Sequence, residues 1–169
     1  APPDRKNGLR VAAVVGPTAS GKSGLGLALA AQFGGEIVGV DSMQVYRELD
    51  VGTAKPTADE QATVRHHMID LVEPSAAFSV AEFQNAGREV LRSLSTASKK
   101  AIICGGSGLH FRSLVDPLEF PPTDPAVRAQ LEADDPARLV AELSAADPDA
   151  EQHVDLANPR RVMRAVEVY

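Results

Sequence analysis

The string "GPTASGKS" places Gly16, Gly21, Lys22 and Ser23 in the spacing G-x-x-x-x-G-K-[ST]. Between a strand and a helix, a loop of this kind turns its own N–H groups and those of the helix N-terminus onto phosphate oxygens. Lys22 would neutralise phosphate charge, and the Ser23 hydroxyl is placed to hold Mg²⁺. The whole run Gly16, Pro17, Thr18, Ala19, Ser20, Gly21, Lys22 and Ser23 is the expected cradle, with Lys22 and Ser23 acting in the chemistry as well as in binding. The correct flanks weigh against a ligand-free glycine turn.

Asp41 ends the apolar run "GEIVGVD", and in open α/β sheets ligands sit at the carboxyl ends of strands. On spacing alone its role stays open among a helix cap, a Mg²⁺ ligand and a general base. It begins "DSMQVYRELDVGTAKPT", a stretch poor in hydrophobic periodicity and suited to a binding loop. Ser107 lies in "CGGSGLHF", a second glycine turn after an apolar run, which is compatible with a structural turn or with a binding loop. In "NPRRVMRAVEVY", helical spacing puts Arg160, Arg161 and Arg164 on one face, with Val162, Ala165, Val166 and Tyr169 on the other. Such a cluster can pair with RNA phosphates or be a solvated face. His66 and His67 have no carboxylate or cysteine at metal spacing, and Cys104 reads as a small core residue.

These residues need elements to hold them. "LRVAAVVG", "GEIVGVD" and "KKAIICGG" read as short buried strands, with helices over "KSGLGLALAAQF" and "SVAEFQNAGREVLRSLSTAS". Ser79 and Glu82 form a capping box on the second helix, and Val80, Phe83, Val90, Leu91 and Leu94 share a face. Alternation of this kind predicts a phosphate-loop α/β fold, a three-layer parallel sheet with helices on both faces. After residue 115 the texture changes. Asp-Pro and Asn-Pro pairs at three helix starts predict a helical segment over 116–169, following a core domain over 1–115.

The composition narrows the class. The 169 residues are 44% hydrophobic and can supply a core, and the single cysteine cannot form an internal disulfide. No apolar stretch approaches the roughly 20 residues needed to span a bilayer, and residues 1–10 lack the apolar centre of a signal peptide. The expectation is a cytosolic monomer without membrane contact. The net charge of −6 argues against a broad RNA-binding face, but the excess is local: residues 111–158 carry 11 acidic and 3 basic side chains, and 159–169 carry 1 and 3. RNA contacts must therefore use local basic points.

Taken together and in order, "GPTASGKS", "DSMQVYRELDVGTAKPT", "HHMIDLVEPSAAFSV", "GGSGLHF" and "NPRRVMRAVEVY" resemble the tRNA dimethylallyltransferase family from about residue 10 to residue 169. The resemblance implies that the gripped group is the leaving diphosphate of dimethylallyl diphosphate. The five-carbon group passes to N6 of the adenosine on the 3′ side of the anticodon in the tRNA anticodon stem-loop. It also implies Asp41 as general base, RNA contacts at Asp41, Ser42, Met43 and Gln44, and further RNA contacts at Ser107, Arg128 and the run Arg160, Arg161, Val162, Met163 and Arg164. The target base would have to be swung out of its loop to react.

Two departures stand out. The family usually carries Thr and Tyr where this chain has Ser107 and His110. Its members also continue past the "EVY" match and carry a longer helical insertion, so part of the active site is expected outside these 169 residues. Two rival functions share the phosphate loop: a small-molecule kinase using ATP, and a non-enzymatic RNA-binding module with a relic nucleotide site.

Overall fold

The computed structural model describes residues 11–169. They fall in two compact units, one ending at Leu118 and one spanning Glu119–Tyr169; the sequence reading sets that boundary at 115/116.

In the first unit the chain runs β1 (Val11–Val15), α1 (Lys22–Phe33), β2 (Gly35–Val40), α2 (Ala58–Thr63), β3 (His66–His67), α3 (Val80–Thr96), β4 (Lys100–Gly105) and α4 (Gly108–Val115). The four strands form one sheet in the order β1-β4-β2-β3, with every pairing parallel. β4 is an interior strand: Gly105 pairs with Val15 on one side and with Val40 on the other. Parallel pairing sends all the carboxyl ends to one edge, and the loops that follow β1, β2 and β4 meet there.

Both sheet faces are covered, as the apolar runs predict. Strand side chains alternate between faces. Ala101 and Ile103 of β4 pack with Val38, Val40, Phe83, Leu94 and Leu114 on the α3/α4 side. Ile102 packs with Ile37 and Ala30 on the α1 side, with Leu27 and Cys104 against the same cluster. The Ser79–Glu82 capping box forms in both directions at the start of α3. Buried Gln84 then fastens α3 to its neighbour by donating to the carbonyls of Ser113 (3.0 Å) and Leu118 (2.8 Å).

Three elements were not anticipated. α2 has its own capping box, Thr57 with Glu60, but is only six residues long and buries none of them, so it has no hydrophobic period to read. β3 is two residues long, below the length at which alternation carries a signal. α4 begins directly out of the second glycine turn.

The second unit is helical: α5 (Pro125–Glu132), α6 (Pro136–Ala146) and α7 (Pro159–Val168), with a 3-10 turn at Ala150–Gln152. Asp124, Asp135 and Asn158 cap the three helices with side-chain oxygens, each followed by Pro in the first turn. Leu139, Leu143, Ala150 and Val162 form its small core.

At the opposite edge of the sheet from the carboxyl ends, Glu36 is 7% exposed. It accepts hydrogen bonds from Lys99 and lies 2.6 Å from His67 Nε2. Burial alone would raise this carboxyl, but Lys99 and His67 outweigh it and hold it below the ordinary value of 4.5. A carboxylate lowered in the folded state contributes stability that is complete above its unfolded pKa and is lost as pH falls through the folded one. Glu36→Gln should cost about 1–3 kcal/mol at neutral pH and should flatten the loss of thermal stability on acidification below about pH 4.5. Melting curves of both proteins over a pH series measure this, and identical acid slopes would remove Glu36 from the account.

Candidate active site

The phosphate loop is built by local backbone geometry. Ala19 has φ 64° and Gly21 φ 80°, so the chain twists through the left-handed region twice before α1 begins. No side chain caps α1 and no acidic residue stands in its first turn. Its orphan N–H groups and the positive end of its dipole therefore face the loop. Pro17, Thr18, Ala19, Ser20, Gly21 and Ser23 are exposed, Gly16 and Lys22 less so. The Lys22 ammonium bends back to donate to the Pro17 carbonyl at 3.0 Å, which holds its charge over the loop.

The second glycine turn seats this loop. A Cβ on Gly105 would collide with the Val40 backbone, so only glycine lets β4 end this close to β2. The Gly16 N–H donates to the Gly105 carbonyl at 3.4 Å, and the Ser107 N–H donates to Val40 at 3.1 Å. The end of β4 is thus tied to the loops after both neighbouring strands.

Asp41 follows Val40 directly. Its Oδ1 accepts from the N–H groups of Met43 (2.8 Å) and Gln44 (3.3 Å), which caps a turn rather than a helix, since the next helix begins at Ala58. Among the described residues, Oδ2 accepts no hydrogen bond and stays available for proton transfer. Thr18, Lys22, Ser23, Asp41, Met43 and Gln44 line a cavity of about 410 Å³ together with Leu27, Ile37, Gly52, Thr53, Ile69 and Cys104. Phosphate loop, carboxylate and apolar wall therefore share one space. Burial pushes the Cys104 thiol up, against the opposing charge of Lys22, so it stays protonated and packs.

Ser42 is exposed, whereas Gln44 is turned into its own loop, its amide donating to the carbonyls of Thr53 and Ala54 at 3.0 Å each. What holds this loop is a residue the sequence did not single out. The Lys55 side chain is 4% exposed, and its ammonium donates to the Tyr46 carbonyl (2.9 Å), Asp50 Oδ1 (2.6 Å) and Asp70 Oδ1 (2.7 Å). Burial opposes its charge, but Asp50 and Asp70 outweigh burial and raise its pKa. Backbone bonds from Asp70 to Gln44 and from Leu71 to Val45 complete the attachment. Only the quoted "GTAKPT" contained this signal, and no periodicity marks it.

In the second unit, the arginines divide. Arg160 and Arg161 are exposed. Arg164 is engaged internally, donating to the Pro121 carbonyl (2.6 Å), Thr123 Oγ1 (3.2 Å) and Glu167 Oε2 (2.7 Å). Arg128 reaches the same Glu167 at 3.3 Å, whose side chain is 1% exposed. Arg160 and Arg164 line an apolar groove with Val154, Val168 and Tyr169. Val162 is 1% exposed and belongs to the unit's core, and Met163 packs against it, so the apolar side chains of this run face inward. Helical spacing assigns Arg160, Arg161 and Arg164 to one face, but the Glu167 carboxylate, the Pro121 carbonyl and the Thr123 hydroxyl engage Arg164.

A parallel sheet whose glycine loop, strand-end carboxylate and second glycine turn converge on one cavity defines an α/β protein with a fold of the phosphate-loop type. Residues 44–169 match the IPP transferase family, and the chain belongs to it. It is 45% identical to the tRNA dimethylallyltransferase of Bifidobacterium animalis subsp. lactis over 98% of this chain and 51% of that protein. It is 49% identical to that of Streptomyces coelicolor over 94% and 52%. The chain thus spans about half the length of the curated relatives it matches. Among solved structures it resembles the tRNA isopentenylpyrophosphate transferase of Bacillus halodurans (TM-score 0.63, 38% identity, covering 95% of this chain and 55% of that one). It also resembles a eukaryotic dimethylallyltransferase acting on tRNA (TM-score 0.82, 26% identity, covering 96% and 42%).

Two outcomes follow from the side-chain commitments. Lys55→Met should speed amide hydrogen exchange across 41–54 and lower stability by about 1–3 kcal/mol. Lys55→Arg should not restore protection, because a planar guanidinium cannot point three donors into that enclosed position. Unchanged exchange in Lys55→Met would show that the backbone bonds alone suffice. In the second unit, Arg164→Ala should lower thermal stability while Arg160→Ala with Arg161→Ala leaves it within about 0.5 kcal/mol. In tRNA-binding titrations, only the Arg160/Arg161 pair should reduce the salt dependence by about 2 phosphate contacts. A salt slope that moves with Arg164 instead would reverse the assignment.

Proposed function

We propose that the protein transfers the dimethylallyl group of dimethylallyl diphosphate to N6 of the adenosine 3′-adjacent to the anticodon in tRNA, releasing diphosphate. The observation that carries this reading is the sharing of one cavity by the phosphate loop, the Asp41 carboxylate and an apolar wall of Leu27, Ile37 and Ile69. A prenyl diphosphate requires a polar cradle beside an apolar surface. The names of the relatives support the same substrates.

Breaking the allylic C–O bond places negative charge on the diphosphate, where the loop N–H groups, the α1 N-terminus and Lys22 stabilise it. The exposed hydroxyl of Ser23, next to Lys22, is of the type that takes a magnesium ion bound with a diphosphate, and such an ion would neutralise the leaving group. The exocyclic amine of adenine is a poor nucleophile because its lone pair is delocalised into the ring. Its attack must be accompanied by loss of a proton, and Asp41 Oδ2 is the acceptor offered. Met43 and Gln44 hold the other carboxylate oxygen and so fix the angle of the free one. Arg160 and Arg161 are suited to tRNA phosphates, and Ser42, Met43 and Ser107 to its remaining contacts, while the side chains of Gln44 and Arg128 are engaged by the Thr53 and Ala54 carbonyls and by Glu167. A cytosolic location accords with this substrate, and no helix among the described residues is long and apolar enough to cross a membrane.

Mass spectrometry of tRNA nucleosides after incubation with the protein and dimethylallyl diphosphate should find a five-carbon addition on adenosine. Phosphoryl transfer from ATP without that addition would favour a kinase, and tRNA binding without either reaction a binding module. Asp41→Asn keeps size and the turn hydrogen bonds but removes the basic oxygen, so single-turnover rates should fall about 10²–10⁴-fold with tRNA and diphosphate affinities little changed. A loss of diphosphate affinity that added Mg²⁺ partly restores would make Asp41 a metal ligand instead.

A further inference from the structure

Ser107 stands at the N-cap of α4, yet its side chain does not cap the helix. Its Oγ lies 2.6 Å from Nδ1 of His110, one turn further on. Its N–H donates to the carbonyl of Val40, so the pair is stitched to the strand end that carries Asp41. The imidazole is fixed from its other side by Phe83, which meets it edge-on with ring centroids 4.5 Å apart and planes at 87°. Phe83 is fully buried and cannot yield, so the ring has little freedom to turn.

Burial pushes the His110 pKa below its ordinary 6.5, with the Asp41 charge acting in the opposite sense. The imidazole is then neutral at neutral pH, with one nitrogen donating and the other accepting. Hydroxyl donors make bonds of about 2.5–3.0 Å and N–H donors to oxygen about 2.7–3.2 Å. The separation of 2.6 Å suits a hydroxyl donating to a ring nitrogen; with the ring hydrogen on Nε2, the Ser107 hydrogen lies on the bond to Nδ1. A serine held in this way has spent its only donor and presents lone pairs to whatever approaches.

An exocyclic adenine amine carries two hydrogens. Asp41, in the reading above, removes one of them; the other stays on nitrogen and becomes more strongly polarised as the new N–C bond draws electron density from the amine. We propose that His110 is a positioning residue that locks Ser107 Oγ as the hydrogen-bond acceptor for this second amine hydrogen of the target base. This deepens the proposed transfer reaction and rests on it. No bond beyond those of the transfer is made or broken: the Ser107 proton stays on oxygen, and the second amine hydrogen stays on nitrogen. The polarity of Ser107 selects for an N–H donor and disfavours a base with an acceptor at that position, because two facing acceptors repel.

The test has two arms. In the first, ¹⁵N spectra of histidine-labelled protein should find His110 Nδ1 unprotonated and Nε2 protonated, with Ser107→Ala shifting the Nδ1 resonance. A protonated Nδ1 overturns the proposal. In the second arm, anticodon-loop RNAs carrying either adenosine or purine riboside, which lacks the amine, at the target position are titrated against the protein. Wild type should prefer adenosine. Ser107→Ala and His110→Phe should each reduce that preference about fivefold, the worth of one hydrogen bond, while affinity for inorganic diphosphate stays constant. His110→Asn, whose amide oxygen can accept from the Ser107 hydroxyl, should restore most of it. Should His110→Phe melt early, Ser107→Ala carries the comparison, since it leaves the Phe83 contact intact. Full discrimination in Ser107→Ala overturns this inference alone; absence of any preference in wild type overturns the transfer reaction along with it.

Discussion

The close approach of three backbones at the carboxyl end of β4 is the constraint from which the rest of the first unit follows. Gly105 pairs with Val15 and with Val40, and a side chain at this position would drive β2 away. Because the pairing is parallel on both sides, the loops leaving β1, β2 and β4 must depart in the same direction. Gly16 then bonds to Gly105, and Ser107 to Val40. The phosphate loop, the Asp41 carboxylate and the second polar turn are neighbours because three strands end together, although they lie up to about ninety residues apart in the chain.

Charge inside this unit is placed where it fastens loops and kept away from where a ligand would compete for it. Lys55 and Glu36 are both largely enclosed, and each gathers several partners. Lys55 closes the loop that follows Asp41, while Glu36 closes the far edge of the sheet. Neither lends its charge to the phosphate loop. Lys22, by contrast, holds a single backbone carbonyl among the described residues. Lys22 is lightly bonded, whereas Lys55, which holds a loop, is bonded to three acceptors.

The second unit applies the same division to arginine. Glu167 and the carbonyl of Pro121 occupy Arg164, and Glu167 also draws Arg128. One basic group of the acidic stretch and one of the basic run after it thereby serve the packing of three short helices whose core is only a few residues. Arg160 and Arg161, in the first turn of α7 beside an Asn158 cap, remain directed to solvent. A basic motif of this kind is therefore partly scaffold and partly solvent-facing, and its arginines are not interchangeable.

Much of this was determined by sequence alone, wherever the cause is local. The phosphate loop between a strand and a helix, the Ser79–Glu82 box, the Asp-Pro and Asn-Pro helix starts and the apolar runs that become β1, β2 and β4 all depend on residues within a few positions of one another, and periodicity and capping chemistry report such causes directly. Asp41 and Ser107 could be placed at strand ends for the same reason. Tertiary structure decided the rest, because the deciding partner was distant in the chain. Glu36 meets Lys99 from 63 positions away, and Lys55 finds Asp70 across 15. Gln44 turns inward onto carbonyls 9 and 10 residues on, and Arg164 is claimed by backbone 43 residues before it. A side chain's type and helical face fix what it can do, whereas its free or committed state is set by which acceptor the fold brings within hydrogen-bonding distance, and no local pattern encodes that.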